Sequence, residues 1–191
     1  MRRAVFLDRD GVLVADDGCI ASMTDVRILP GVPAALRRLG QAGFLRVVVT
    51  NQSVVARGLA TPETVEGIHA WLAAELERLG GSVDGFFYCP HHPEATLPNW
   101  RVACECRKPR PGLILRAARE LGIDCSSSFV IGDRGTDIAA GRAAGCTTVL
   151  LTTGRHLDPP IVADLDGMDC TPHRTCRDLE EAALMIIREP G

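Results

Sequence analysis

No run of apolar residues in the 191-residue chain approaches the roughly 20 needed to cross a bilayer. The opening segment Met1–Leu7 meets Asp8 too early for the apolar core of a signal peptide, so a cytoplasmic protein is expected. Basic residues show no surplus, with 21 Lys and Arg against 24 Asp and Glu and a formal net charge of −3. A broad nucleic-acid or anionic-membrane surface needs the opposite balance. Aromatics make up only 4 %, which leaves little material for stacking single-stranded bases. Internal repeats, low-complexity tracts and a clear interdomain linker are also missing. The length suits one α/β domain, residues 1–191, with a small insertion.

Cysteine is the exception, with eight in the chain. A disulfide framework does not suit a reducing compartment, which leaves metal binding or simple burial. Cys89, Cys104 and Cys106 crowd into one segment with His91 and His92. Cys125, Cys146, Cys170 and Cys176 are scattered without ligand spacing, and Cys146 at a strand entry is expected to be buried. His69, His156 and His173 are expected as surface or capping residues.

Short apolar runs alternate with amphipathic stretches. Ala4–Leu7, Leu45–Thr50, Gly85–Tyr88, Phe129–Gly132 and Thr147–Leu151 have the length and bounding turn residues of strands. Several are apolar without alternation, as a parallel strand covered on both faces requires. Helices are expected over Gly31–Gln41, Pro62–Leu79, Pro111–Leu121, Thr136–Ala144 and Leu179–Ile187. Thr61 is placed to cap the second and Pro62 to open it. Strand–helix alternation predicts right-handed crossovers and a doubly wound, Rossmann-like parallel sheet. Only Cys89–Arg110 breaks the pattern, as an inserted loop.

Ligands bind such sheets beyond the carboxyl ends of the strands. Three expected strands run directly into polar residues there: Asp8-Arg9-Asp10-Gly11, Thr50-Asn51-Gln52-Ser53 and Asp133. Arg107-Lys108 precedes a helix opening at the same edge. Asp8 and Asp10, two apart, can face one pocket. Asp133 adds a third acid and Asp137 lies one helical turn on. Such acids repel one another unless a cation sits among them, and an all-oxygen set suits Mg²⁺.

Asp8-Arg9-Asp10-Gly11-Val12-Leu13, Thr50–Ser53, Lys108-Pro109 and Gly132-Asp133 with Asp137 resemble, in order, the four motifs of the haloacid dehalogenase-like phosphatases. The resemblance implies Asp8 as a nucleophile forming an aspartyl-phosphate and Asp10 as general acid and then base. It implies Mg²⁺ held by the carboxylates of Asp8 and Asp133 and the main-chain carbonyl of Asp10. Thr50 and Lys108 would donate to the phosphoryl oxygens, and Asp137 would orient the metal site.

Cys89-Pro90-His91 and Cys104-Glu105-Cys106 each present an i, i+2 pair to one side of an extended segment. Facing each other they give three thiolates and one imidazole, a set suited to structural Zn²⁺, with buried free thiols as the alternative. Tyr88–Pro93 with Cys104–Pro109 is similar to the zinc loop of one branch of the superfamily. That branch holds the heptose-1,7-bisphosphate 7-phosphatases and the histidinol-phosphate phosphatases, and has no large cap domain. The likeness implies Zn²⁺ on Cys89, His91, Cys104 and Cys106, with His92 as a non-ligand. It also implies a substrate lined by Asp16, Cys19, Asn51, Gln52, Ser53, Arg107 and Arg134. Val12, Cys19, Val54 and Arg134 depart from the usual threonine, tyrosine, glycine and lysine; Arg134 keeps the charge with another geometry, and Cys19 and Val54, close to the expected substrate loops, bear on which sugar is taken.

The sequence thus predicts a monomeric Mg²⁺-dependent phosphatase for a small sugar phosphate. Histidinol phosphate or another small phosphomonoester stays open as substrate, as does a zinc-stabilised interaction module without activity. A DNA 3′-phosphatase ranks below these on charge and aromatic content.

Overall fold

A computed structural model describes residues 1–153 and 167–188; His156 lies outside the described residues. The chain forms β1 (Ala4–Leu7), α1 (Val32–Gln41), β2 (Leu45–Asn51), α2 (Pro62–Arg78) and β3 (Gly85–Cys89). It continues with α3 (Gly112–Leu121), β4 (Phe129–Gly132), α4 (Gly135–Ala143), β5 (Thr147–Leu151), β6 (Arg174–Cys176) and α5 (Leu179–Arg188). The six strands form one sheet in the order β3-β2-β1-β4-β5-β6, and every pairing is parallel.

Both faces of the sheet are covered, as the unalternating strands predict. Val5, Leu7, Val48, Ile131 and Val149 point to one side, against Leu36, Ile68, Leu72 and Ala182. Ala4, Phe6, Val47, Val49 and Val130 point to the other, against Ile114, Ala117 and Ala140. Helix ends follow local chemistry. The Thr61 hydroxyl accepts from the Thr64 amide at 3.2 Å, and Gly122 closes α3 with φ +66°. Helix α2 stops at Arg78, one residue before the expected end, because Leu79 already serves as its C-cap. The edge strand β6 is unexpected. It is three residues long, Arg174 and Thr175 are exposed, and no apolar run announces it.

Strand order reverses at β1, which has β2 on one side and β4 on the other. A sheet of this order opens a crevice beyond the carboxyl ends of those strands. Leu7 pairs with Val48 and with Ile131, so Asp8, the tip of β2 and Asp133 emerge side by side. The chain leaves β1 through a tight turn in which the amides of Leu13 and Val14 both bond to the Arg9 carbonyl. Gly11 takes φ +79° there, and a Cβ on it would lie 2.2 Å from the Asp133 carboxylate. Further down β3, Asn51 of β2 pairs with Cys89, which starts the inserted loop beside the same edge. No helix among the described residues is long and apolar enough to cross a membrane.

Helix α4 lies close on the sheet: a Cβ at Gly141 would meet Thr148 Cγ2 at 2.7 Å and Val130 Cβ at 2.8 Å. Gly141→Ala overpacks this contact and is expected to cost about 1–3 kcal/mol in urea unfolding. Stability equal to the parent would show that α4 shifts freely.

Candidate active site

Asp8, Asp133 and Asp137 are all buried, and one carboxylate oxygen from each lies within 4.8 Å of the others. Asp8 comes from the end of β1, Asp133 from the end of β4 and Asp137 from the first turn of α4. The Lys108 ammonium, itself 3 % exposed, stands 3.0 Å from Asp8 Oδ1 and 2.5 Å from Asp137 Oδ1, and donates to the Val49 carbonyl at 2.9 Å. Burial works against the charged lysine, but Asp137 and Asp8 outweigh it and hold the group protonated, above its ordinary range. Burial likewise pushes Asp137 up to about 6, with the Lys108 ammonium pulling the other way. Three carboxylates thus gather where one ammonium pairs with two of them. The remaining negative charge and the all-oxygen donor set fit a hard divalent cation such as Mg²⁺.

Lys108 reaches this point because its backbone is clamped. The Asn51 amide donates to the Lys108 carbonyl at 3.0 Å and its Oδ1 accepts from the Lys108 amide at 3.1 Å. Thr50, on the same strand, is 1 % exposed at the floor of the cleft.

Cys89, His91, Cys104 and Cys106 converge. The three sulfurs lie 3.2, 3.3 and 3.5 Å apart, and His91 Nδ1 is 3.6 and 3.7 Å from Cys106 and Cys89. With Zn–S near 2.3 Å, ligands on a tetrahedron stand about 3.8 Å apart, so the cluster has nearly the required size. Burial raises the Cys89 thiol well above its ordinary range, and a cation offsets that cost by binding the thiolate. The cluster can therefore hold a metal. Arg107 follows directly and donates to the His91 carbonyl at 3.1 Å.

A cleft of about 920 Å³ joins these groups, lined by Asp8, Asp10, Thr50, Arg107, Lys108 and Arg134 among others. Asp16, Cys19, Asn51, Gln52 and Ser53 also reach it. Asp16 and Arg134 pair across its mouth at 2.6 Å. Cys19 is exposed, with its sulfur 3.8 Å from an Arg57 guanidinium nitrogen. Gln52 is 2 % exposed, its amide committed to Asp10, Thr50 and Arg9. Val54 packs into a small cluster with Val55 and Val65. Arg57 lines the cleft without having been anticipated as a site residue.

The expectation for His69 is corrected. It is 5 % exposed, stacked on Phe86 at 4.7 Å and turned toward Arg9, because α2 lays this face on the sheet. Arg9 is equally unforeseen: it is 1 % exposed. The Asp8-Arg9-Asp10 string gave the only hint, a cation fixed between two acids. His173 is exposed, as expected.

Order of strands, acids at the tips of β1 and β4 and a buried lysine define a haloacid dehalogenase-like hydrolase, and the HAD-hydrolase-like family model matches residues 105–182. A D-glycero-beta-D-manno-heptose-1,7-bisphosphate 7-phosphatase of Rhodopseudomonas palustris is 46 % identical, covering 75 % of this chain and 80 % of that protein. Its counterpart from Photorhabdus laumondii is 43 % identical over 81 % and 83 %. Among solved structures, the D,D-heptose 1,7-bisphosphate phosphatase from B. bronchiseptica, complexed with magnesium and phosphate, superposes with a TM-score of 0.84. It is 35 % identical and covers 98 % of this chain and 99 % of its own. The chain belongs to the haloacid dehalogenase-like phosphatases, in the family of these heptose-bisphosphate enzymes.

Lys108→Met leaves Asp8 and Asp137 buried without their cation. The expected loss is about 3–5 kcal/mol in urea unfolding with chelator present. A loss under 1 kcal/mol would mean that water already reaches these acids.

Proposed function

We propose that the protein removes the 7-phosphate of D-glycero-D-manno-heptose 1,7-bisphosphate through an aspartyl-phosphate on Asp8. The meeting of Asp8, Asp133 and Asp137, with the Lys108 ammonium paired to the first and last, carries this reading, because it puts a nucleophile, a cation site and a phosphate donor together. The Asp8 carboxylate forms a bond to phosphorus as the bond to the sugar oxygen breaks, and Asp10 gives that oxygen a proton. Asp10 then takes a proton from water, which attacks the same phosphorus and releases phosphate and free Asp8. The Thr50 hydroxyl and Lys108 ammonium donate to the phosphoryl oxygens throughout.

Asp8, Asp133 and the Asp10 carbonyl would hold Mg²⁺, and Asp137, in contact with Lys108, would keep lysine and acids in register. Bound there, the ion supplies charge neutralisation between the Asp8 carboxylate and the anionic phosphate. Zn²⁺ on Cys89, His91, Cys104 and Cys106 would be structural, on the order of 10 kcal/mol toward ordering a loop with no core of its own. Its consequence is the placement of Arg107 and Lys108. Asp16, Cys19, Asn51, Gln52, Ser53, Arg107 and Arg134 border the sugar and its second phosphate, where the guanidinium fork of Arg107 suits a phosphate.

Phosphate release from both anomers of the heptose bisphosphate and from histidinol phosphate, measured side by side with Mg²⁺, tests the substrate. The highest kcat/KM is expected on a heptose anomer. Preference for histidinol phosphate would transfer the protein to that activity. Asp8→Asn should lower kcat by at least about 10³-fold, since it removes the nucleophile, and near-parental turnover would refute the mechanism. Zinc removal is expected to leave the sheet folded by circular dichroism and to raise KM; unchanged kinetics after verified removal would refute the loop's role.

A further inference from the structure

Arg9 has no part in the reaction just described, yet its side chain is among the largest that are fully buried. A guanidinium taken out of water is costly unless its donors are used. Here they are used in three directions. Nε donates to Asp10 Oδ1 at 2.9 Å and one Nη to Asp10 Oδ2 at 3.1 Å, a two-pronged grip on the carboxylate. The same Nη donates to Gln52 Oε1 at 2.7 Å, and the other lies 3.3 Å from His69 Nε2.

Arginine only donates, so His69 Nε2 accepts and the ring is neutral with its proton on Nδ1. Burial and the Arg9 charge lower His69 to about 3, which keeps it an acceptor. The ring is fixed by stacking on Phe86 and by the edge of Tyr88, both on β3. Gln52 closes the network, its amide donating to Asp10 Oδ2 and to Thr50 Oγ1, each at 3.0 Å. Asp10 itself keeps 24 % of its side chain open and lines the cleft.

We infer that Arg9 is a positioning residue: backed by His69 and Gln52, it fixes the Asp10 carboxylate in the orientation that serves the leaving oxygen. The inference rests on Asp10 being the acid and base of the proposed reaction. It also selects an atom. Among the described residues Oδ2 accepts from both Arg9 and Gln52 and Oδ1 from Arg9 alone, so the proton passes to the sugar oxygen from Oδ1.

An acid matters only to a leaving group that needs a proton. A sugar alkoxide does, and a nitrophenolate does not. The test compares kcat/KM on a primary sugar phosphate with kcat/KM on p-nitrophenyl phosphate for Asp10→Asn, Arg9→Lys, His69→Phe and His69→Gln. Asp10→Asn should depress the sugar-to-aryl ratio most. Arg9→Lys and His69→Phe should depress it at least fivefold, on the order of a misplaced general acid. His69→Gln, which restores an acceptor, should return the ratio toward the parent. If Asp10→Asn shifts the ratio while Arg9→Lys and His69→Phe lower both substrates alike, or neither, the positioning role is overturned and the assignment of Asp10 survives. If Asp10→Asn leaves the ratio unchanged, that assignment fails and takes the inference with it. Should Arg9→Lys not fold, the His69 pair makes the same comparison with Arg9 intact.

Discussion

The ammonium of Lys108, enclosed between Asp8 and Asp137 and resting on the Val49 carbonyl, ties together four separate parts of the chain. Its partners stand at the ends of β1 and β2 and in the first turn of α4, while the lysine itself belongs to the inserted segment. In water such contacts are worth little. Buried, the lone lysine and the lone acids are each expensive, so each is tolerable only because the other is present. The reciprocal bonds between Asn51 and the Lys108 backbone keep that balance from depending on one flexible side chain.

Much of this was legible from the sequence because the chemistry sits where chain direction is simple. Ala4–Leu7, Phe129–Gly132 and Thr147–Leu151 were readable to the residue, the first two because an apolar run that ends at Gly or Asp has few other uses in a parallel sheet and the third because β-branched and aliphatic residues follow the turn glycine Gly145. The first two of these runs located Asp8 and Asp133 at a common edge, the run from Leu45 brought Thr50 to it, and paired i, i+2 spacing grouped Cys89 with His91 and Cys104 with Cys106.

What the sequence hid depends on contacts between distant segments. The polar edge strand Arg174–Cys176 exists by pairing with β5, not by its own composition. His69 looked like one more polar residue on an amphipathic helix, and only the packing of α2 on the sheet turns it inward, toward Arg9. Gln52 was legible as a residue at the cleft, but not as the bridge between Thr50 and Asp10.

The space beside Gly11 has a further meaning. Its backbone conformation and its closeness to the Asp133 carboxylate make the two residues steric complements, one absent side chain accommodating the other's presence. Any residue but glycine at that turn would push its Cβ into the acid. The two positions, far apart along the chain, therefore contend for one volume, and a side chain added at the first strand's turn is felt at the acid after the fourth.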